Sequence, residues 1–431
     1  MLAWLLIIIL FVAIFMCLPV SFSIGLSSLV VLFAEPSPAL TPWVLVQRLY
    51  YGLDSFTILA IPLFLMTAEI MNATGITDRL IRFCNVLVGH IRGGLAHVNV
   101  LVSMVFAGIS GSSTADTAGI GKVLIPAMTK EGYSKEYSVV ITAVSSTLGQ
   151  IIPPSIIAVI YSATVGISVG AVFICGIIPG ILIGVSQMAL NAIYSHKHGY
   201  PREERVPFRK AIKELITTLP AVFTPIIIIG GIVGGLFTAT EAAVIAASWA
   251  LLLSLFYRTM TIKKFWKILK NTVEVSAATI LCIGIATVFS YILAFYRVPE
   301  TLGAWITSVC HSQSAFMLLA FLVFMIVGCF MDATPAIIML APVIAPIGLA
   351  IGCNPVHLGC IIVVTLALGL VTPPYGLCLL LACQIGETSL QKVMPTLLVF
   401  MCVMICIILL CALWPDALLW LPRWLMPNAA I

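Results

Sequence analysis

Gly149-Gln150-Ile151-Ile152-Pro153-Pro154-Ser155 interrupts an apolar run, and Gly369-Leu370-Val371-Thr372-Pro373-Pro374-Tyr375-Gly376 interrupts another. A double proline removes two backbone donors and stops a helix, yet apolar sequence resumes beyond both. Upstream of each lies a second interruption: Gly108-Ile109-Ser110-Gly111-Ser112-Ser113-Thr114-Ala115-Asp116 with Pro126, and Gly328-Cys329-Phe330-Met331-Asp332-Ala333-Thr334 with Pro342. The step from Asp116 to Asp332 equals that from Pro126 to Pro342, and the step from Pro153 to Pro373 is only slightly longer. One chemical outline therefore occurs twice, in the same order. The starts match more loosely: Ile8–Phe33, broken near Pro19 and Ser21, parallels Ile226–Phe256, broken near Thr238, Thr240 and Glu241. A charged amphipathic stretch follows each, at Arg48–Asp54 and Lys263–Glu274. These matches place repeat one at residues 1–195 with a hairpin at about 108–131, and a basic loop at 196–218. Repeat two takes 219–414 with a hairpin at about 328–352, and a C-terminal tail 415–431.

Composition puts both repeats in a bilayer. Of 431 residues, 61% are hydrophobic and 9% charged, far from a soluble domain. The apolar stretches approach the roughly 20 residues a crossing helix needs, and none alternates like a barrel strand, so the expected fold is all-α and polytopic. The first stretch has no basic flank and is too long for a signal-peptide core, so it is expected to remain in the mature chain. Thirteen scattered cysteines read as small core hydrophobes. The net charge of +5 collects in loops, as at Lys197, Arg202, Arg205, Arg209, Lys210 and Lys213, which places 196–218 in the cytoplasm and gives no sign of nucleic-acid binding.

Within lipid, non-helical backbone survives only where protein buries it or a cavity receives it, and paired broken segments in two halves point to a transport site. Half-helix N-termini suit a carboxylate, and unwound carbonyls and hydroxyls suit a small hard cation. Candidate cation ligands are Ser110, Ser112, Gly149, Ile152 and Pro154 in the first half and Gly328, Gly369 and Thr372 in the second. Candidate substrate contacts are Ser113, Asp116, Gln150 and Ser155, with Asp332, Thr334, Pro374 and Gly376. Each aspartate reads either as a helix cap or as an ion or substrate contact. Glu241 reads as part of an N-cap. Sodium and proton coupling are equally compatible with these oxygens. H-E-x-x-H, Walker and G-x-S-x-G motifs are all missing from the sequence, so no enzymatic activity is expected.

At these positions, and at Leu124-Ile125-Pro126-Ala127-Met128, Gly235–Glu241 and Met331–Pro335, the chain resembles the large permease subunit of C4-dicarboxylate-type tripartite ATP-independent periplasmic (TRAP) transporters, in the ion transporter superfamily. The resemblance implies two inverted repeats with re-entrant hairpins, a scaffold and an elevator-like transport domain. It also implies sodium ions as the coupling cofactor, a separate four-helix small membrane subunit and a periplasmic substrate-binding protein. The cargo would be a small organic anion (a C4-dicarboxylate, sialic acid or sugar acid), carried across the bacterial inner membrane. A stand-alone sodium–dicarboxylate symporter of related fold is the alternative. Inversion asks for an odd number of crossings per repeat. Treating each broken first element as one tilted crossing meets this, and puts the N-terminus outside and residues 258–270 in an amphipathic helix lying in the interface.

Overall fold

The computed structural model describes residues 2–16, 18–34, 40–202, 207–310 and 312–427. Every regular element among them is helical. Repeat one contains α1 (Leu2–Phe15), α2 (Val20–Ala34), α3 (Pro42–Leu53), α4 (Ala60–Ala73) and α5 (Ile76–Val88). It continues with α6 (Gly94–Ser110), α7 (Ser113–Lys130), α8 (Lys135–Ser146), α9 (Leu148–Ile151), α10 (Ile156–Val165) and α11 (Val169–His198). Repeat two contains α12 (Phe208–Val233), α13 (Ala239–Phe256), α14 (Ile262–Phe295), α15 (Val298–Val309) and α16 (Gln313–Gly328). It ends with α17 (Ala333–Ala350), α18 (Pro355–Gly369), α19 (Leu377–Ile385), α20 (Leu390–Leu413) and α21 (Pro415–Leu425). Eight helical segments among the described residues are long and apolar enough to cross a membrane.

Short polar side chains set the helix starts by taking up the first free amides. Ser134, Ser155, Ser168, Thr261 and Ser312 each accept a bond from the amide three residues on. Thr238 and Glu241 form a reciprocal capping box, with the Thr238 amide donating to Glu241 Oε2 at 2.7 Å. The N-cap reading of Glu241 is thus fulfilled.

The helices fall into two interlocked groups. In the outer one, α4 packs on α13, and α14 packs on α2, α3 and α4. The inner group holds the hairpins α6–α7 and α16–α17 with the broken helices α8–α9–α10 and α18–α19. Here the halves contact one another reciprocally: α7 lies on α19, and α10 on α17. Such an exchange of equivalent surfaces indicates a two-fold relation between repeats. The groups meet mainly where α5 touches α6 and where α14 touches α17.

Three expectations about the periphery change. The first element is two helices, not one broken crossing: α1 and α2 lie side by side. The Ser23 hydroxyl takes the Leu18 and Pro19 carbonyls at 3.3 Å each where the chain turns. Residues 258–270 do not form a separate interfacial helix. From the Thr261 cap, no proline or glycine intervenes before Gly284, so α14 runs unbroken for 34 residues, about 51 Å at 1.5 Å per residue. The basic segment 196–218 is mostly helical: Lys197 ends α11, Arg209 and Lys213 lie in the first turns of α12, and Arg205 falls outside the described residues.

Candidate functional site

The first hairpin turns at Gly111, whose φ of +64° is left-handed and where a Cβ would stand 2.7 Å from the Pro154 carbonyl oxygen. Conformation and close approach both require glycine here. Ser112 then caps α7, its hydroxyl 3.4 Å from the Ala115 amide. The broken helix closes over this tip: Ile156 donates its amide to the Gly111 carbonyl at 3.3 Å, and Ser113 donates to the Thr147 carbonyl at 3.4 Å. A Cβ on Gly149 would lie 3.1 Å from the Ser112 carbonyl. Ser110, Ser112, Ser113, Gly149 and Pro154 therefore meet in one oxygen-rich shell, with Ile152 in extended backbone beside it. Ser155 is occupied as the α10 cap and as a donor to the Gln150 carbonyl. Gln150 is buried with its Oε1 unpaired.

The second tip has the same plan with different chemistry. Gly328 and Gly369 touch backbone to backbone: a Cβ on Gly369 would be 2.9 Å from both Cα and carbonyl oxygen of Gly328. Tyr375 donates its amide to the Cys329 carbonyl at 3.0 Å, and Thr372 Oγ1 donates to the Leu368 carbonyl at 2.9 Å. That leaves the Thr372 lone pairs free to accept. Asp332 occupies the N-cap position of α17 in extended backbone. Its carboxylate lies beside the Ala333 and Thr334 amides without closing a capping bond. Gly376 starts α19, Thr334 is partly exposed, and Pro374 is exposed, away from the tip's buried shell.

The helix frame revises one pairing. The sequence outline aligns Asp116 with Asp332, but α7 and α17 begin at Ser113 and Ala333. The residue equivalent to Asp332 is therefore Ser112, one tip being neutral and the other acidic. Asp116 lies one turn deeper, fully buried, and neither carboxylate oxygen makes a hydrogen bond. It is no cap, since Ser112 holds that position. Its polar neighbour Ser103 donates instead to Ser145 at 3.2 Å, within a buried network in which Asn99 donates to Thr142 at 2.7 Å. Cys378, on the other half, lies close enough to feel both Asp116 and Asp332.

Sequence reasoning missed a cavity of about 410 Å³ between the outer and inner groups. Arg48, Tyr51 and Ser55 from the α3 arm and Thr287, Ser290 and Tyr291 of α14 form one wall; Thr164 of α10 and Ile338 of α17 form the other. The Arg48 guanidinium stacks over the Tyr291 ring, 4.3 Å from its centroid. The one available signal was a lone arginine on an amphipathic helix.

Two repeats, two hairpin tips closed by broken helices and an adjoining cavity define a membrane transporter built around paired discontinuous helices. The fold matches a crystal structure of the Alcanivorax borkumensis YdaH transporter, with a TM-score of 0.60 over 88% of this chain and 90% of that one, at 15% identity. Residues 7–417 match the family described as "Tripartite ATP-independent periplasmic transporter, DctM component", and the chain belongs to that family. It is 35% identical to the C4-dicarboxylate TRAP transporter large permease protein DctM of Pseudomonas aeruginosa, over 94% of each chain. It is 34% identical to the sialic acid TRAP transporter large permease protein SiaM of Vibrio cholerae, over 94% of this chain and 95% of that one. It is thus the large permease component of a three-part transporter, and not an enzyme.

Proposed function

We propose that this permease drives uptake of a small organic carboxylate across the bacterial inner membrane with a sodium gradient. In this reading a periplasmic binding protein delivers the substrate and a four-helix small subunit supports the permease. The observation that carries the reading is the duplicated closure of each hairpin tip by a broken helix, Ser112 against Gly149 and Gly328 against Gly369. Both shells offer oxygens: hydroxyls and carbonyls at the first tip, the uncapped Asp332 carboxylate with the Thr372 hydroxyl at the second. This donor set fits a small hard cation, and sodium would be held by these residues. The inner group, which carries both hairpin tips and both broken helices, would act as the moving body of an elevator. Relatives are named for C4-dicarboxylate, sialic acid, isethionate and 2,3-diketo-L-gulonate transport, and all four are small organic anions.

The test is initial uptake of labelled succinate, N-acetylneuraminate, isethionate and 2,3-diketo-L-gulonate into proteoliposomes containing both membrane subunits. At least one anion should enter only with an inward sodium gradient and its binding protein present. Equal uptake in potassium would overturn the coupling. Uptake without any binding protein would favour a stand-alone symporter.

A further inference from the structure

We propose that α21 is a membrane-surface helix whose tryptophan face lies in the lipid headgroup boundary of the periplasmic leaflet.

A comparison of the two halves shows why that face looks outward. Equivalent positions keep the spacing of the double prolines, as Gly132 and Gly352 do with φ of +92° and +90°. The same spacing pairs Tyr194 with Trp414 and Tyr200 with Trp420. In repeat one both rings turn inward. Tyr194 stacks on Tyr137 with 4.5 Å between centroids, α11 continues to His198, and Gly199 takes a left-handed φ of +67°. Tyr200 thereby folds back on Tyr133 and Tyr137, at 4.5 and 5.3 Å. In repeat two Pro415 has no amide with which to continue α20, so the chain turns at Trp414 and begins α21 at once. Trp420 and Trp424, one turn apart, stack on each other with 6.3 Å between centroids and stand 61% and 69% exposed.

At 3.6 residues per turn, α21 carries three faces. Leu418, Leu419 and Pro422 are buried, where the helix packs on α11, α18 and α20. Asp416 and Arg423 share a second face, on which Arg423 Nη1 donates to Asp416 Oδ1 at 3.1 Å. Trp420 and Trp424 point away from the buried face. A surface helix in water has one apolar face toward the core and one polar face toward solvent, so an apolar third face asks for a third medium.

The position of the helix identifies that medium as lipid. The tryptophan face continues the exposed face of the membrane-spanning α20, whose last turns leave Leu410, Leu413 and Trp414 about half exposed. Tryptophan is suited to the headgroup level, being apolar over the ring and polar at its N–H. The far end of α21 meets the first turn of α11, where a Cβ on Gly170 would stand 3.3 Å from Met426 Sδ. From there α11 rises about 42 Å to His198 at 1.5 Å per residue, more than the roughly 30 Å of hydrocarbon. Thus α21 and the basic segment 196–218 lie at opposite ends of a crossing. With that segment cytoplasmic by its positive charge, α21 is periplasmic.

Spin labels test the faces in phospholipid vesicles holding the permease with and without its small subunit, in a background cleared of native thiols. Labels at Trp420→Cys and Trp424→Cys should favour oxygen, which concentrates in lipid, over a water-soluble nickel chelate several-fold more than a label at Asp416→Cys, and should sit within about 5–10 Å of the headgroup boundary. Because each label replaces a tryptophan, native fluorescence supplies a second readout. Lipid brominated near the headgroup should quench it more than lipid brominated near the chain end, and the double variant Trp420→Phe, Trp424→Phe should lose part of that shallow quenching. Nickel access at positions 420 and 424 equal to that at 416, or shallow quenching unchanged in the double variant, would overturn the lipid contact. Labels shielded from both relaxers only when the small subunit is present would assign the face to a protein instead. An impermeant maleimide added to spheroplasts should reach Asp416→Cys; reaction only in inverted vesicles would overturn the leaflet.

Discussion

Asp332 and Ser112 occupy the same helical position in the two halves, so they are the natural pair for testing what the tips do. A side chain that only caps a helix tolerates exchange of Asp for Asn, which caps about as well. The Asp332 carboxylate lies beside the Ala333 and Thr334 amides, so this exchange separates a capping role from a charge that meets an ion or the substrate. Asp332→Asn should therefore insert and assemble normally but lose most of its uptake, whereas Ser112→Ala should keep its maximal rate and require more sodium to reach it. Initial rates normalised to folded protein, measured over a sodium titration, check both. A near-normal Asp332→Asn would return that residue to the status of a cap. At this scale the sequence is informative where chemistry is local: Gly111, Gly149, Gly328, Gly369 and the double prolines are readable because backbone departures demand those residue types. Arg48 is not, because its partner Tyr291 lies in the other repeat and only the folded chain makes the cavity.

At the scale of elements, Gly369 and Gly230 make opposite predictions from the same substitution. A methyl at Gly369 meets the Gly328 backbone on the opposing hairpin at 2.9–3.0 Å, and backbone cannot rotate aside. Gly369→Ala should lower thermal stability in detergent by about 1–3 kcal/mol of overpacking and impair transport. At Gly230, inside α12, nothing lies within 4 Å of the added methyl, so Gly230→Ala should be neutral or stabilise by up to about 1 kcal/mol of helix propensity. Melting curves of the two variants check the contrast, and a Gly369→Ala protein as stable as the parent would mean that α18 does not touch Gly328 of α16 there. Element boundaries also show what a single sequence conceals. The outline matched an aspartate with an aspartate, yet the helix starts, Ser113 and Ala333, keep the longer spacing of the double prolines. Identical residue types can occupy different turns of equivalent helices.

For the whole molecule, the seam where α5 and α14 meet the two hairpins is where relative motion of the groups can be tested. Gly303 of α15, which continues from and packs on the outer-group helix α14, faces Ile347 of α17, with 3.4 Å between a Cβ placed on the glycine and Ile347 Cγ1. In a background cleared of native thiols, Gly303→Cys with Ile347→Cys should form a disulfide on oxidation that abolishes uptake, and reduction should restore it. Full activity of the oxidised, demonstrably cross-linked protein would show that α17 does not move against α15 during transport. The duplicated architecture was readable from the repeated outline, but the division into two groups was not, since it depends on which apolar faces choose one another.

The unbroken α14 and the jointed α3–α4 occupy corresponding places in the two halves, one a single rod of 34 residues, the other two arms meeting around Asp54 and Ser55. A continuous helix resists bending along its whole length, whereas a joint lets each arm swing. In an elevator motion, a load from the inner group would be borne stiffly on one side and absorbed on the other, and the jointed arm is the edge of the cavity that Arg48 lines. In that motion the cavity would widen or narrow as the elbow flexed, while the rod that shares its wall stayed straight.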